Sequence, residues 1–329
     1  MDSTIFAQCI ARIKVLETKL LDRAKLETLI EAKDFDEAKR IIQDSIYADY
    51  LSMLSYEEGL KKALEDFYME MLKLCPVSEV VDIFRTKYDA HNIKVLIKSR
   101  FLNRDLDKLL INAGTIDISK LKEIFKDENL RDLYPEFRIA AFRAFEEYNS
   151  NKNPQDIDVM IDEAMFERQI NISKSTKLEF LQRYIQLLID VQNIKTFIRA
   201  KEQKREREFL KKVLIKGGKV DLDVFINNYI EDIESFSNKV FHTEHFKWIK
   251  DGIEEYLKTK DLGRIEKVAD DYLLSILKNS KFISFGPEPV VAYLYAKENE
   301  IKILRIILTG KKNKVGADTI RERLRDIYV

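Results

Sequence analysis

Two stretches of this chain, a hundred residues apart, carry nearly the same text. DAHNIKVLIK begins at Asp89 and DVQNIKTFIR at Asp190, and Asp, Asn, Ile, Lys and a later Ile coincide at an offset of 101. Further on, INAGTIDISKLKEIF (111–125) pairs with IKGGKVDLDVFINNY (215–229) at an offset of 104, matching Ile, Gly and Asp and keeping the apolar positions 116, 118, 121 and 125. The change of offset implies a three-residue insertion between the two matches. A third copy follows IKIL at Ile301, where KVGADTI (314–320) echoes KVDLDVF (219–225), and the central copies recur at spacings of 101 and 107 residues. Such spacings are too long for tetratricopeptide or HEAT units, so each repeat is domain-sized. Each reads as a long helix bearing Ile-Lys, a Gly-containing turn and a short helix. Three modules, 1–126, 127–232 and 233–329, account for the chain, and the IKVL at Ile13 is an extra helix in the first. Similar modules bury similar faces, so three can close into a pseudo-threefold funnel or be strung in line.

Within the modules the local signals are helical throughout. Charged residues make up 35% of the chain, against about 25% in an ordinary domain, while Gly (9) and Pro (5) are scarce. Phe6, Ile10, Ile13 and Leu20, with Leu16 or Glu17 between, follow three-to-four spacing and form one apolar stripe. Ser55-x-x-Glu58 and Thr176-x-x-Glu179 read as capping boxes, and Asn153-Pro154 as an N-cap followed by proline at the first helical position. No sustained strand-length alternation occurs. The expected fold class is all-α, three related helical modules arranged as a pseudo-threefold funnel.

Charge and apolarity narrow the partners. Lys plus Arg equals Asp plus Glu at 57 each, so no overall field holds a polyanion or an anionic membrane, and nucleic acid is excluded as a general partner. VVAYLYA (290–296) is among the longest apolar runs and falls short of a bilayer span, so no direct bilayer insertion is expected. Cys9 and Cys75 read as reduced core thiols of a cytoplasmic protein.

The last segment carries a resemblance. SFGPEPVVAYLYAKENEIKILRIILTGK (284–311) combines a G-P-E-P entry at Gly286–Pro289, a helix with A-Y-L-x-A-K-E-x-E through Glu300, and an I-K-x-L-R-x-I-L-x-G-K continuation. It resembles the C-terminal signature of the C subunit of V/A-type rotary ATPases, the counterpart of the d subunit in eukaryotic V-ATPase. The resemblance implies a non-catalytic central-stalk coupler, one copy per complex. It would join the central-shaft subunits of the ATPase head to the membrane rotor ring and transmit torque for Na+ or H+ transport. It would lie at the cytoplasmic face of the membrane, peripheral, held by the ring. The repeat alone is equally compatible with a generic helical-repeat scaffold for protein–protein interaction.

A coupler needs two broad interfaces rather than a catalytic constellation. The densest charged run, IRAKEQKREREF, offers Arg199, Lys201, Lys204, Arg205 and Arg207. Continuous helical spacing would place Glu202 by Glu206 and make Lys201 and Arg205 a basic stripe, either a solvated face or a rim contact. Lys94, Lys195 and Lys302 hold equivalent places after the repeated Ile; they read as outward and solvated, or as a ring of like charge if the modules close. Glu298 and Glu300 are candidates for inter-module ion pairing. Gly114 and Gly218 are candidates for turns with φ > 0 or tight backbone packing.

No catalytic motif stands in its required frame. Gly217-Gly218-Lys219 and Gly310-Lys311 lack the G-x-x-x-x-G-K-[ST] pattern that wraps phosphates. His242, Glu244 and His245 lack the H-E-x-x-H spacing of a metal site, and Trp248 beside them reads as a core anchor. No enzyme activity, cofactor or metal is expected of this chain.

Overall fold

The computed structural model describes residues 2–127, 129–240 and 249–329, so His242, Glu244, His245 and Trp248 lie outside the described residues. Among the described residues every regular element is helical. In chain order the α-helices are α1 (Ala7–Glu17), α2 (Arg23–Glu31), α3 (Phe35–Ile41), α4 (Ala48–Met53), α5 (Tyr56–Leu74), α6 (Ser78–Leu102), α7 (Ile118–Lys126), α8 (Pro135–Asn151) and α9 (Pro154–Thr176). They continue with α10 (Glu179–Glu202), α11 (Arg207–Val213), α12 (Leu222–Asn227), α13 (Ile233–Val240), α14 (Ile249–Thr259), α15 (Leu262–Lys278), α16 (Glu288–Lys312) and α17 (Ala317–Arg323).

Of the three helix starts read from local sequence, two form as expected. The Ser55 hydroxyl accepts from Glu58 N and donates to the Glu58 carboxylate, a capping box at the head of α5. Asn153 accepts from Gln155 N ahead of Pro154 and opens α9. The Thr176 box does not form. Thr176 is the last residue of α9, its buried hydroxyl donates back to Ser173 O, and Lys177 turns left-handed at φ 57°. The hydroxyl also accepts from Leu178 N at 3.2 Å, but Thr176 stands two residues ahead of the position that would cap α10 at Glu179.

The three longest repeated helices end alike. Asn103, Lys204 and Lys314 are all left-handed, at φ 48°, 52° and 57°. Each donates to the carbonyl three residues back, and the next residue donates to the carbonyl five back: Arg104 N to Ser99 O, Arg205 N to Ala200 O and Val315 N to Gly310 O. This is the Schellman arrangement, which satisfies carbonyls that the helix end leaves open. After it, residues 104–117 lead to the short helix α7, residues 205–221 to α12, and only residues 315–316 to α17. The three-residue insertion inferred from the offsets falls in the second of these connections, which also carries α11.

The chain packs as two units, one comprising Phe67–Ile189 with Ile215–Lys219, the other Asp2–Asp66, Asp190–Leu214 and Val220–Val329. In the first, α6, α8 and α9 bury Ile93, Ile97, Phe137, Ile157 and Ile161 against α7's Leu121 and Ile124. Ala140, Ala141 and Ala144 line α8 within this cluster, small side chains that let helices approach closely. In the second, Phe197 of α10 packs on Phe225, Tyr229 and Phe236, with ring centroids 6.0, 5.7 and 4.1 Å away. Along α16 the run VVAYLYA is buried except for Tyr295, because α1, α2, α3 and α15 pack around it. Cys9 and Cys75 are buried, and neither forms a disulfide among the described residues. No helix among the described residues is long and apolar enough to cross a membrane.

Phe197 is fully buried at the centre of its aromatic cluster. Phe197→Ala is expected to cost about 3–5 kcal/mol through lost burial and the cavity left behind. Urea unfolding followed by circular dichroism checks this, and a loss under about 1 kcal/mol would mean that the cluster closes over the gap.

Candidate functional site

The residues of DAHNIKVLIK form a seat for the turn that follows them. Arg85, Asp89 and Asn92 lie at i, i+4 and i+7 on α6 and therefore share one face. Asn92 clamps Ile111, its amide donating to Ile111 O at 2.8 Å and its oxygen accepting from Ile111 N at 2.9 Å. The Asp89 carboxylate accepts from Ile116 N at 3.0 Å and from the Thr115 hydroxyl at 2.6 Å. Arg85 donates to Ala113 O and Gly114 O. Gly114 is required by this closeness: a Cβ there would lie 2.3 Å from Asp89 Oδ1.

The second copy keeps the chemistry. Asp190 accepts from Val220 N at 3.1 Å, and both partners stand at the repeat offsets from Asp89 and Ile116. Asn193, at the place of Asn92, is fully buried. The left-handed glycine of this turn is Gly217 at φ 101°, one residue before Gly218, which is partly buried beside it. On α16 the corresponding face carries Lys297 and Glu300, both buried and paired at 2.7 Å. Glu300 also accepts from Leu21 N and from the Tyr47 hydroxyl, each at 2.5 Å. Burial, and then the Glu300 carboxylate, hold the Tyr47 phenol well above its usual range, so it stays a donor. Glu298, two residues before Glu300, is only partly buried.

Lys94 and Lys195 are half-buried and face carboxylates, while Lys302 is exposed and pairs at the surface. Lys94 and Lys98 of α6 meet Asp162 and Asp158 of α9, both at 2.6 Å. Lys195 of α10 lies in the field of Asp270 and Glu266 of α15, and Arg199 pairs with Glu266. Acid and base both keep their four-residue spacing, but in the second copy, among the described residues, only Arg199–Glu266 closes as an ion pair between these two helices, and Asp270 is taken by Lys302 and Arg325. Lys302 of α16 joins the second ladder through Asp270 at 2.5 Å, and Arg325 reaches the same carboxylate at 3.1 Å. Burial pushes Asp270 up, but Lys302, Lys195 and Arg325 outweigh it and hold the carboxyl below its usual range. Half-exposed pairs of this kind are worth at most about 1 kcal/mol each, so they set helix register more than they stabilise.

The basic run does not form one stripe. The left-handed turn at Lys204 ends α10, and α11 starts afresh at Arg207, so Lys201 and Arg205 are not neighbours on a single helix. Arg199 faces Glu266. Lys201 donates to Tyr229 O at 2.6 Å and to Glu231 O, closing the end of α12 onto α10. Arg207 donates to Asn227 Oδ1 at 2.9 Å, and Arg205 lies over the Phe209 ring at 5.0 Å. Lys204, Arg205 and Arg207 are exposed, while Arg199 and Lys201 bind groups of their own unit.

Two further signals in the sequence point to these contacts. Asp89 and Asp190 are matched letters of the repeat whose role lies in the amides they hold. Asp158–Asp162 and Glu266–Asp270 repeat at an offset of 108, and each faces a basic pair four residues apart.

A family model described as "ATP synthase (C/AC39) subunit" matches residues 9–323. The chain is 28% identical to the C subunit of the V-type sodium ATPase of Enterococcus hirae, over 96% of this chain and 97% of that protein. It is 26% identical to the C subunit of the A-type ATP synthase of Methanocaldococcus jannaschii, over 98% of this chain and 87% of that one. To the corresponding A-type ATP synthase protein of Desulfurococcus sp. it is 27% identical, over 95% and 88%.

Burial, only partly offset by Thr115, Ile116 and Arg85, raises the Asp89 carboxyl to about 6. The folded chain therefore holds an extra proton between roughly pH 4 and 6, and the stability from this group is full below that window and lost as pH rises through it. The loss amounts to about 3 kcal/mol. Asp89→Asn keeps an oxygen for Ile116 N–H and removes the titration. Relative to the unaltered chain, this variant should gain about 3 kcal/mol in urea unfolding between pH 4 and pH 7. A difference that stays constant with pH would contradict the assignment.

Proposed function

The chain belongs to the ATP synthase (C/AC39) subunit family, and from that membership we propose that it is the non-catalytic central-stalk coupler of a V/A-type rotary ATPase. It receives the tip of the rotating shaft, sits on the membrane rotor ring, and passes torque between them so that ATP turnover and Na+ or H+ movement stay linked. One copy serves each complex, at the cytoplasmic face of the membrane, held there by the ring. The observation that carries this reading is the match of nearly the full chain, residues 9–323, to the family. The near-complete coverage of relatives named as C subunits supports it.

The three modules, 1–126, 127–232 and 233–329, are proposed to close around a pseudo-threefold axis into a funnel. Recurrence of the long helix, its Schellman end and the short helix supports this division. A part that carries torque must deform little, and the internal ties suit that demand. Backbone is tied to side chain at each seat, and helix to helix at each ladder. Lys204, Arg205 and Arg207, exposed where α10 turns into α11, are the proposed polar contact with a neighbouring protein of the complex. Each interface needs about 1,200–2,000 Å² of buried surface to be stable.

The test is a titration of the purified chain against the central-shaft subunits, read by size exclusion and native mass spectrometry. A one-to-one complex is expected, together with copurification with the ring in detergent. Absence of both at tens of micromolar would contradict the coupler reading and favour a generic scaffold.

A further inference from the structure

The third module lacks what the other two use to fill their seats. In the first, residues 104–117 run from the end of α6 to α7, and the amides of Ile111 and Ile116 bind Asn92 and Asp89. In the second, residues 205–221 do the same service, with Val220 N on Asp190. After α16 only residues 315–316 intervene before α17, too few to fold back to the middle of the long helix.

The seat face of α16 is nevertheless occupied. Counted from the Ile-Lys repeat, Glu300 stands where Asn193 does; counted from the left-handed helix end, it stands where Asp190 does. The two registers differ by about one helical turn and share a face. Like those two residues it is buried, and like Asp190 it accepts a backbone N–H. The donor is Leu21, in the turn between α1 and α2. Tyr47, just before α4, fills the rest: its hydroxyl donates to Glu300 and accepts from Lys297 at 2.7 Å, and its ring lies 4.3 Å from the ammonium.

We propose that the N-terminal segment, residues 2–53, is a strap that completes the third module by supplying, from the far end of the chain, the turn this module lacks, with Glu300 as its anchor. The strap wraps α16 and the tail from end to end. Ser3 O accepts from Gly286 N at 3.2 Å, Glu17 accepts from the Tyr328 hydroxyl at 3.1 Å, and Glu27 pairs with Arg321 of α17 at 3.0 Å. Its helices are short, so little of its order is intrinsic and most comes from the seat and the apolar face of α16. It should therefore open as one piece, ahead of the rest, when the anchor is removed. Removing one member of a buried pair leaves the other charge without compensation, which makes Glu300 the position with the largest effect.

Hydrogen exchange read by mass spectrometry on the full chain tests this. In Glu300→Ala, peptides covering residues 7–53 should exchange at least about tenfold faster, while peptides from 78–176 keep their rates. Glu300→Gln, which retains an acceptor for Leu21 N–H, should show a smaller effect in the same peptides and serves if the alanine variant does not fold. Unchanged protection of 7–53 in whichever of the two variants folds would overturn the proposal. So would an equal loss of protection in 7–53 and 78–176, since the segment would then belong to a common core.

Discussion

The interaction on which most of this structure depends is a buried side-chain oxygen on a long helix holding the amide of a distant turn. Asp89 with Ile116 and Asp190 with Val220 are the clear cases. An amide buried without an acceptor costs about 1–3 kcal/mol, so these carboxylates are needed once the turn is packed against the helix. Their burial has its own cost, visible in the raised Asp89 carboxyl. The fold accepts that cost because three otherwise irregular segments must be fixed to long helices. Gly114 follows from the same closeness, since no side chain fits beside Asp89 Oδ1.

Around each seat, weaker interactions fix register. The left-handed ends at Asn103, Lys204 and Lys314 stop the long helices at comparable points. The pairs Lys94–Asp162 and Lys98–Asp158, and in the second copy Arg199–Glu266, align each long helix with the helix packed on it. No rung contributes much alone. Together with aromatic packing such as Phe197 on Phe236, they leave little freedom to slide. That is the mechanical quality the proposed coupler needs.

How much of this was legible from residues alone depended on range. Asn153-Pro154 and Ser55 act through bonds to neighbours two or three residues away, and both helix starts read correctly. Thr176 is equally local, but its motif does not fix where the helix boundary falls: α9 runs through Thr176 and α10 begins at Glu179, so the hydroxyl joins the end of one helix to the turn instead of capping the next. The basic stripe at Lys201 and Arg205 failed on a left-handed lysine, a conformation that lysine enters only when the helix end demands it. The repeat exposed matched aspartates but not their role, because the amides they hold come from an irregular turn. The anchoring of Leu21 by Glu300, 279 residues apart, had no local trace at all. Glu300 was singled out for pairing, and its charged partner proves to be Lys297 on the same helix.

Family membership and a repeated helical architecture together make coupling the central claim. The most direct test is to reconstitute the whole ATPase into sealed vesicles with and without this chain and to follow ATP hydrolysis and ion uptake together. The account predicts that without the chain the head still hydrolyses ATP while ion uptake is lost, and that adding the purified chain restores uptake. Equal ion uptake per ATP with and without the chain would contradict it.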